Sequence, residues 1–116
     1  MSAILKNEHG TIVFDEKVIA TLAAETAQES YGIVGLVAQN TRDGIFELLK
    51  VENKTKGVKV NVVDNKLDID LIVMMEFGVR IGIVAENIID KVKYTVEKNT
   101  KLKVNSVNLI VQGIRI

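Results

Sequence analysis

Between Val58 and Met75 the apolar residues fall on every second position, and no other segment restricts the fold so tightly. Val58, Val60 and Val62 alternate with Lys59 and Asn61. Leu67, Ile69, Leu71, Val73 and Met75 alternate with Asp68, Asp70, Ile72, Met74 and Glu76. A period of two belongs to a strand with one buried face. Asp64, Asn65 and Lys66 supply a turn between the two runs, so the segment reads as a hairpin. The second strand begins polar on its outer face, at Asp68 and Asp70, and becomes apolar at Ile72 and Met74. Its far end is expected to be covered on both sides, by a loop or by another subunit.

The flanking segments change to helical spacing. Val18, Ile19, Leu22, Ala23 and Ala27 recur at intervals of one, three and four, which predicts a helix from Asp15 to about Ser30. Asp15 suits the N-cap, Glu16 suits the positive end of the helix dipole, and Gly32 suits the stop. Val84, Ile88, Val92 and Val96, widened by Ala85 and Ile89, predict a second helix over residues 81–99. Gly10–Phe14 reads as a short strand that extends the sheet or pairs with the C-terminus. Residues 102–111 alternate again, and Asn105-Ser106 breaks the pattern, so a bulge is expected there. From Leu36 to Lys56 the signal is weakest. Ile45, Phe46, Leu48 and Leu49 point to a short helix between loops at 40–44 and 52–57, in the segment expected to be most mobile.

The order is (β)-α-β-β-α-β. It predicts an α/β (α+β) fold of two layers, a three-stranded mixed sheet with both main helices on one face. With 116 residues, one domain spanning 1–116 is expected. The uncovered sheet face is where subunits or partners would stack.

Chemistry leaves few marks on this chain. There are no cysteines, and 15 basic residues balance 15 acidic ones, so the basic excess usual in nucleic-acid binding is missing. The start, MSAILKNEHG, is too polar for a secretory signal, and no apolar run is long enough to cross a bilayer. A cytoplasmic protein without direct membrane insertion is expected. His9 stands in a polar segment beside Glu8 and reads as a surface histidine. Asp68, Asp70 and Glu76 share one strand face and could take a cation, but read better as a solvated row partly paired with Lys59. No phosphate-binding glycine pattern is present. No catalytic residue, cofactor, metal or small-molecule substrate is therefore expected.

The candidate interaction residues are Gly32, Ile33, Val34 and Gly35, in a glycine-bracketed turn, with Ile72 and Met74 on the outer face. A helix, a GxxG turn and a short helix also follow the order of a KH RNA-binding module, where the loop clamps a nucleotide backbone. Ile33 and Val34 are not basic, and aromatic residues make up 4% of the chain, so stacking platforms are scarce. Two glycines permitting a tight turn is the favoured reading, with RNA binding as the alternative.

Several of these stretches together resemble the alkaline-shock-protein family, the YloU-like envelope-stress proteins of Gram-positive bacteria. They are Gly10-Thr11-Ile12, Val18-Ile19-Ala20, Glu29 through Gly35, Gly57-Val58-Lys59-Val60, Phe77-Gly78-Val79, Val84-Ala85-Glu86-Asn87, and Val104 through Leu109 with Gly113. The resemblance implies a non-enzymatic cytoplasmic protein linked to cell-envelope stress or homeostasis. It implies a homo-oligomer, and a membrane-anchored protein partner that would hold it at the membrane periphery. It brings no catalytic residues.

Overall fold

A computed structural model describes residues 2–40, 45–48 and 55–116, with the backbone alone at 39–40 and 45–48. The hairpin forms as its alternation requires. Strand β5 (Val58–Val63) pairs antiparallel with β6 (Lys66–Glu76), from Val58 opposite Leu71 to Val63 opposite Lys66. Asp64 and Asn65 turn the chain with φ of 51° and 61°. Two successive positive φ angles match the twist of the strands, and Asp and Asn tolerate them best after glycine.

β6 is the spine of the molecule. Leu67, Ile69, Leu71, Val73 and Met75 are fully buried on one of its faces. Helix α1 (Glu16–Gln28) brings Ile19, Ala23, Ala24 and Ala27 to that face, and α2 (Ile81–Thr100) brings Ile88, Val92 and Val96. The alanines let α1 come close. Asp15 caps α1, its Oδ1 accepting the Lys17 N–H at 2.8 Å. α2 ends on Lys101, which takes φ 63° and donates its N–H to the Glu97 carbonyl. That helix is the crossover a parallel pair needs. Strand β7 (Lys103–Arg115) then runs parallel to β6, from Lys103 beside Lys66 to Arg115 beside Glu76. Its register shifts between Leu67 and Asp68, where Asn105 is the extra residue, so the expected bulge is present. A second shift lies between Val73 and Met74.

Three expectations are corrected. The sheet is not three-stranded: among the described residues it has five strands, because β3 (Ile33–Asn40) and β4 (Ile45–Leu48) join it. β6 is 11 residues long, and β5 pairs with it only as far as Leu71. The backbone groups beyond need partners. Ile33, Gly35 and Leu36 provide them, opposite Met75, Met74 and Val73. Second, the short helix expected near 45–49 is instead a strand over Ile45–Leu48, pairing with Val37–Asn40. So short a helix is unstable by itself, whereas pairing satisfies its backbone at once. Third, β2 (Gly10–Asp15) neither extends the large sheet nor meets the C-terminus. It pairs with β1 (Ser2–Asn7) in a separate two-stranded sheet. Asn7 Oδ1 closes that turn, accepting the N–H groups of His9 and Gly10 at 2.8 and 3.0 Å. The segment expected to be mobile lies partly outside the described residues, at 41–44 and 49–54.

Candidate interaction surface

Strand alternation puts Asp68, Asp70, Ile72, Met74 and Glu76 on the face of β6 turned away from both helices. β7 lays Ser106, Asn108, Ile110, Gly113 and Arg115 beside them in register. The polar ends of this face are closed by hydrogen bonds. Asp68 Oδ1 accepts from Ser106 Oγ at 2.7 Å and from Asn105 Nδ2 at 2.9 Å. Asp70 Oδ1 accepts from Asn108 Nδ2 at 2.8 Å. Arg115 Nη2 donates to Glu76 Oε1. Lys59 stands opposite Asp70 in the register, yet the bond to Asp70 comes from β7.

The acidic row is thus strung along the strand. Asp70 and Glu76 lie six positions apart, roughly 20 Å along the strand. Among the described residues no three His, Cys, Asp or Glu side chains gather as a metal site. The His9 imidazole lies 3.6 Å from the carboxylate of its neighbour Glu8 on the exposed hairpin turn.

The hydroxyl of Ser106, and secondarily the amide of Asn105, hold the Asp68 carboxyl below its ordinary pKa. A depressed folded pKa means the ionised form is favoured by folding. The contribution is present above the unfolded value, about 3.9, and fades as pH falls through the lower folded value. Ser106→Ala should move the Asp68 carboxyl titration upward, read by carboxyl-carbon NMR. An unmoved titration would mean that Ser106 is not the partner.

The middle of the face is apolar and largely closed within one chain. Ile72 is only 7% exposed, and Val37, which alternation places on the same face, is fully buried. Ile72 therefore needs no second subunit to cover it, and a charged residue there would disturb folding before association. Met74 is half-buried, with Gly35 of β3 and Gly113 of β7 as its register partners. Its methyl fills the space above Gly113, where an added Cβ would stand 3.4 Å from it.

The glycine-bracketed turn is half-buried at Gly32, Ile33 and Val34 and buried at Gly35. Ser30 C=O accepts the Ile33 N–H at 3.3 Å, and Gly32, with φ 87°, occupies the third turn position. Only glycine adopts that angle cheaply. Gly32 lies beyond the end of α1 and is not its cap. Its carbonyl accepts the Glu76 N–H at 2.9 Å, which ties the turn to the end of β6. Ile33 and Val34 already belong to β3, and Gly35 is buried. Since Ile33–Asn40 is a strand, the helix–GxxG–helix order of a KH module is not formed.

Around this turn the structure shows a feature that the sequence reading passed over. Tyr31 is 79% exposed, Phe77 69% and Ile83 53%. Phe77 N–H bonds to Arg115 C=O at 3.0 Å, so the end of β7 belongs to the same pole. A hollow of about 140 Å³ lies beside Tyr31, lined also by Ser30, Val84, Asn87, Ile88 and Lys91. It is smaller than the roughly 300–1,000 Å³ of ligand pockets. Exposure of an aromatic residue leaves no periodic trace, so only the Phe-Gly step after β6 marked the place.

Fold and surface together define a small α+β protein with two helices on one side of a mixed sheet and a long edge strand. Residues 4–116 match the model of the ASP23 family, whose function is cell envelope-related, and the chain belongs to that family. It is 40% identical to the uncharacterized protein YloU of Bacillus subtilis (strain 168), over all of this chain and 98% of that one. It is 33% identical to the uncharacterized protein Spy1614 of Streptococcus pyogenes serotype M6, over all of this chain and 97% of that one. Among solved structures it is similar to MamM-CTD 215–293, with a TM-score of 0.52 and 12% identity over 85% of this chain and 99% of that one. At that identity the likeness is one of fold. No helix among the described residues is long and apolar enough to cross a membrane.

Proposed function

We propose that this chain is a non-enzymatic interaction protein of the cell envelope that works by self-association and by docking a partner. It acts as one domain in the cytoplasm, and a membrane-anchored protein holds it at the membrane periphery. The observation that carries this reading is β7. It spans 13 residues and pairs only with β6 among the described strands. No charged residue lies between Lys103 and Arg115. Free edges are normally blunted by charge or proline, because an unpaired strand accepts another. Val111 and Ile114 are 36% and 44% exposed on the side that carries the helices, which adds apolar area to the same edge. Met74 beside Gly113 and the pole around Gly32 extend this surface.

Light scattering coupled to size-exclusion chromatography over a concentration series tests the reading. A dimer or larger species is expected. The double variant Val111→Lys, Ile114→Lys should be monomeric with an unchanged circular-dichroism spectrum. A wild-type monomer at every concentration would overturn self-association, and an unchanged oligomer in the double variant would move the contact away from β7.

A further inference from the structure

The β1–β2 hairpin is joined to the rest of the molecule in an unusual way. It is a separate sheet, and among the described residues no backbone hydrogen bond links it to the five-stranded one. Among the described residues its outer edge is hydrogen-bonded by one side chain instead. Ile4 donates its N–H to Asn65 Oδ1 at 2.8 Å, and Asn65 Nδ2 donates to the Ile4 carbonyl at 2.5 Å. The carboxamide acts as one peptide unit of a neighbouring strand. The apolar anchorage is slight: Ala3 is fully buried and Leu5 and Phe14 are partly so, whereas Ile4, Ile12 and Val13 are exposed. A two-stranded hairpin has little stability of its own. β2 also passes straight into α1 at Asp15, with no linker between them.

We infer that this hairpin is an arm that opens as a unit and that Asn65 is its latch. Local opening follows regions with few buried apolar contacts and exposed hydrogen bonds, and the arm has both. Opening swings it about the Asp15–Glu16 junction and uncovers the end of the core that Ala3 fills. The latch sits in the β5–β6 turn, so a change there is transmitted to the N-terminus without passing through the core.

Hydrogen exchange on the full chain tests this. Asn65→Gly removes the carboxamide and keeps the turn, since an Asp-Gly pair is favoured at such positions. The Ile4 amide and the amides paired between β1 and β2 should exchange about tenfold faster or more, because two hydrogen bonds are lost. Amides of Ile69 and Leu71 in β6 should be unchanged. Asn65→Asp keeps the acceptor for the Ile4 N–H and loses the donor, and should fall between wild type and Asn65→Gly. Unchanged protection of the hairpin in Asn65→Gly would overturn the latch. Equal acceleration in β6 would overturn the arm as a separate unit.

Discussion

Leu71→Ala is expected to cost about 2–5 kcal/mol of folding stability. Leu71 is fully buried at the centre of β6, with Val58 of β5 on one side and Leu109 of β7 on the other. Truncation removes its transfer free energy and leaves a cavity between elements that the hydrogen-bond ladders hold at fixed spacing, so the gap cannot collapse freely. A domain of this size is stable by only about 5–15 kcal/mol, so much of the folded population is at stake. Leu71→Met, which nearly conserves volume, should cost less than about 1.5 kcal/mol. Urea denaturation of both variants measures the difference. Equal midpoints would mean that this part of the core is not packed as described.

Gly32→Ala is expected to cost about 1–3 kcal/mol, for two reasons that act together. The residue holds φ 87°, which an L side chain enters only with strain. An added Cβ would also stand 3.0 Å from Val84 Cγ1, so the Val84 side chain must give by a few tenths of an ångström. Gly78 separates the two effects. Its φ is 93°, but nothing lies within 4 Å of an added Cβ. Gly78→Ala should show the backbone penalty alone, and the excess in Gly32→Ala measures the contact with Val84. Thermal or urea unfolding of the pair gives both numbers, and equal costs would rule out the packing term.

The β5–β6 hairpin, both helices and the bulged last strand were legible because each has a face that is wet over much of its length. A wet face alternates polar with apolar residues at the period of its element. β3 was not legible for the opposite reason. Leu36 and Val37 are both fully buried, so the strand is covered on either side there and the period vanishes from the sequence. Ile45–Leu48 carried a spacing compatible with a helix, and only the neighbouring β3 decided otherwise. β1 escaped because its alternation is weak and its partner is the equally short β2.

At the candidate surface the sequence placed the three carboxylates on one face correctly. Their partners lie 37 to 39 residues away and become visible only once the parallel register of β7 is known. Of the six residues singled out for contact, Gly35 and Ile72 are buried and Gly32, Ile33, Val34 and Met74 are half-buried, a division the sequence does not mark, since a glycine-bracketed apolar run looks the same whether it packs inward or outward. Asn65 was legible as a turn residue, but its bond to Ile4 was not, because the separation of 61 positions leaves no local signature.

The parallel pairing of the β5–β6 hairpin with the last strand has a bearing on how the chain acquires its shape. A two-residue turn lets β5 and β6 meet within about 1–10 μs. β6 cannot meet β7 until the whole of α2 has been made and folded back, and such distant pairings slow folding. During synthesis the most apolar strand of the molecule is therefore complete well before its longest partner exists. Until residues 103–115 have left the ribosome that strand keeps an open flank, the kind of unpaired edge that makes a nascent chain prone to association with its neighbours.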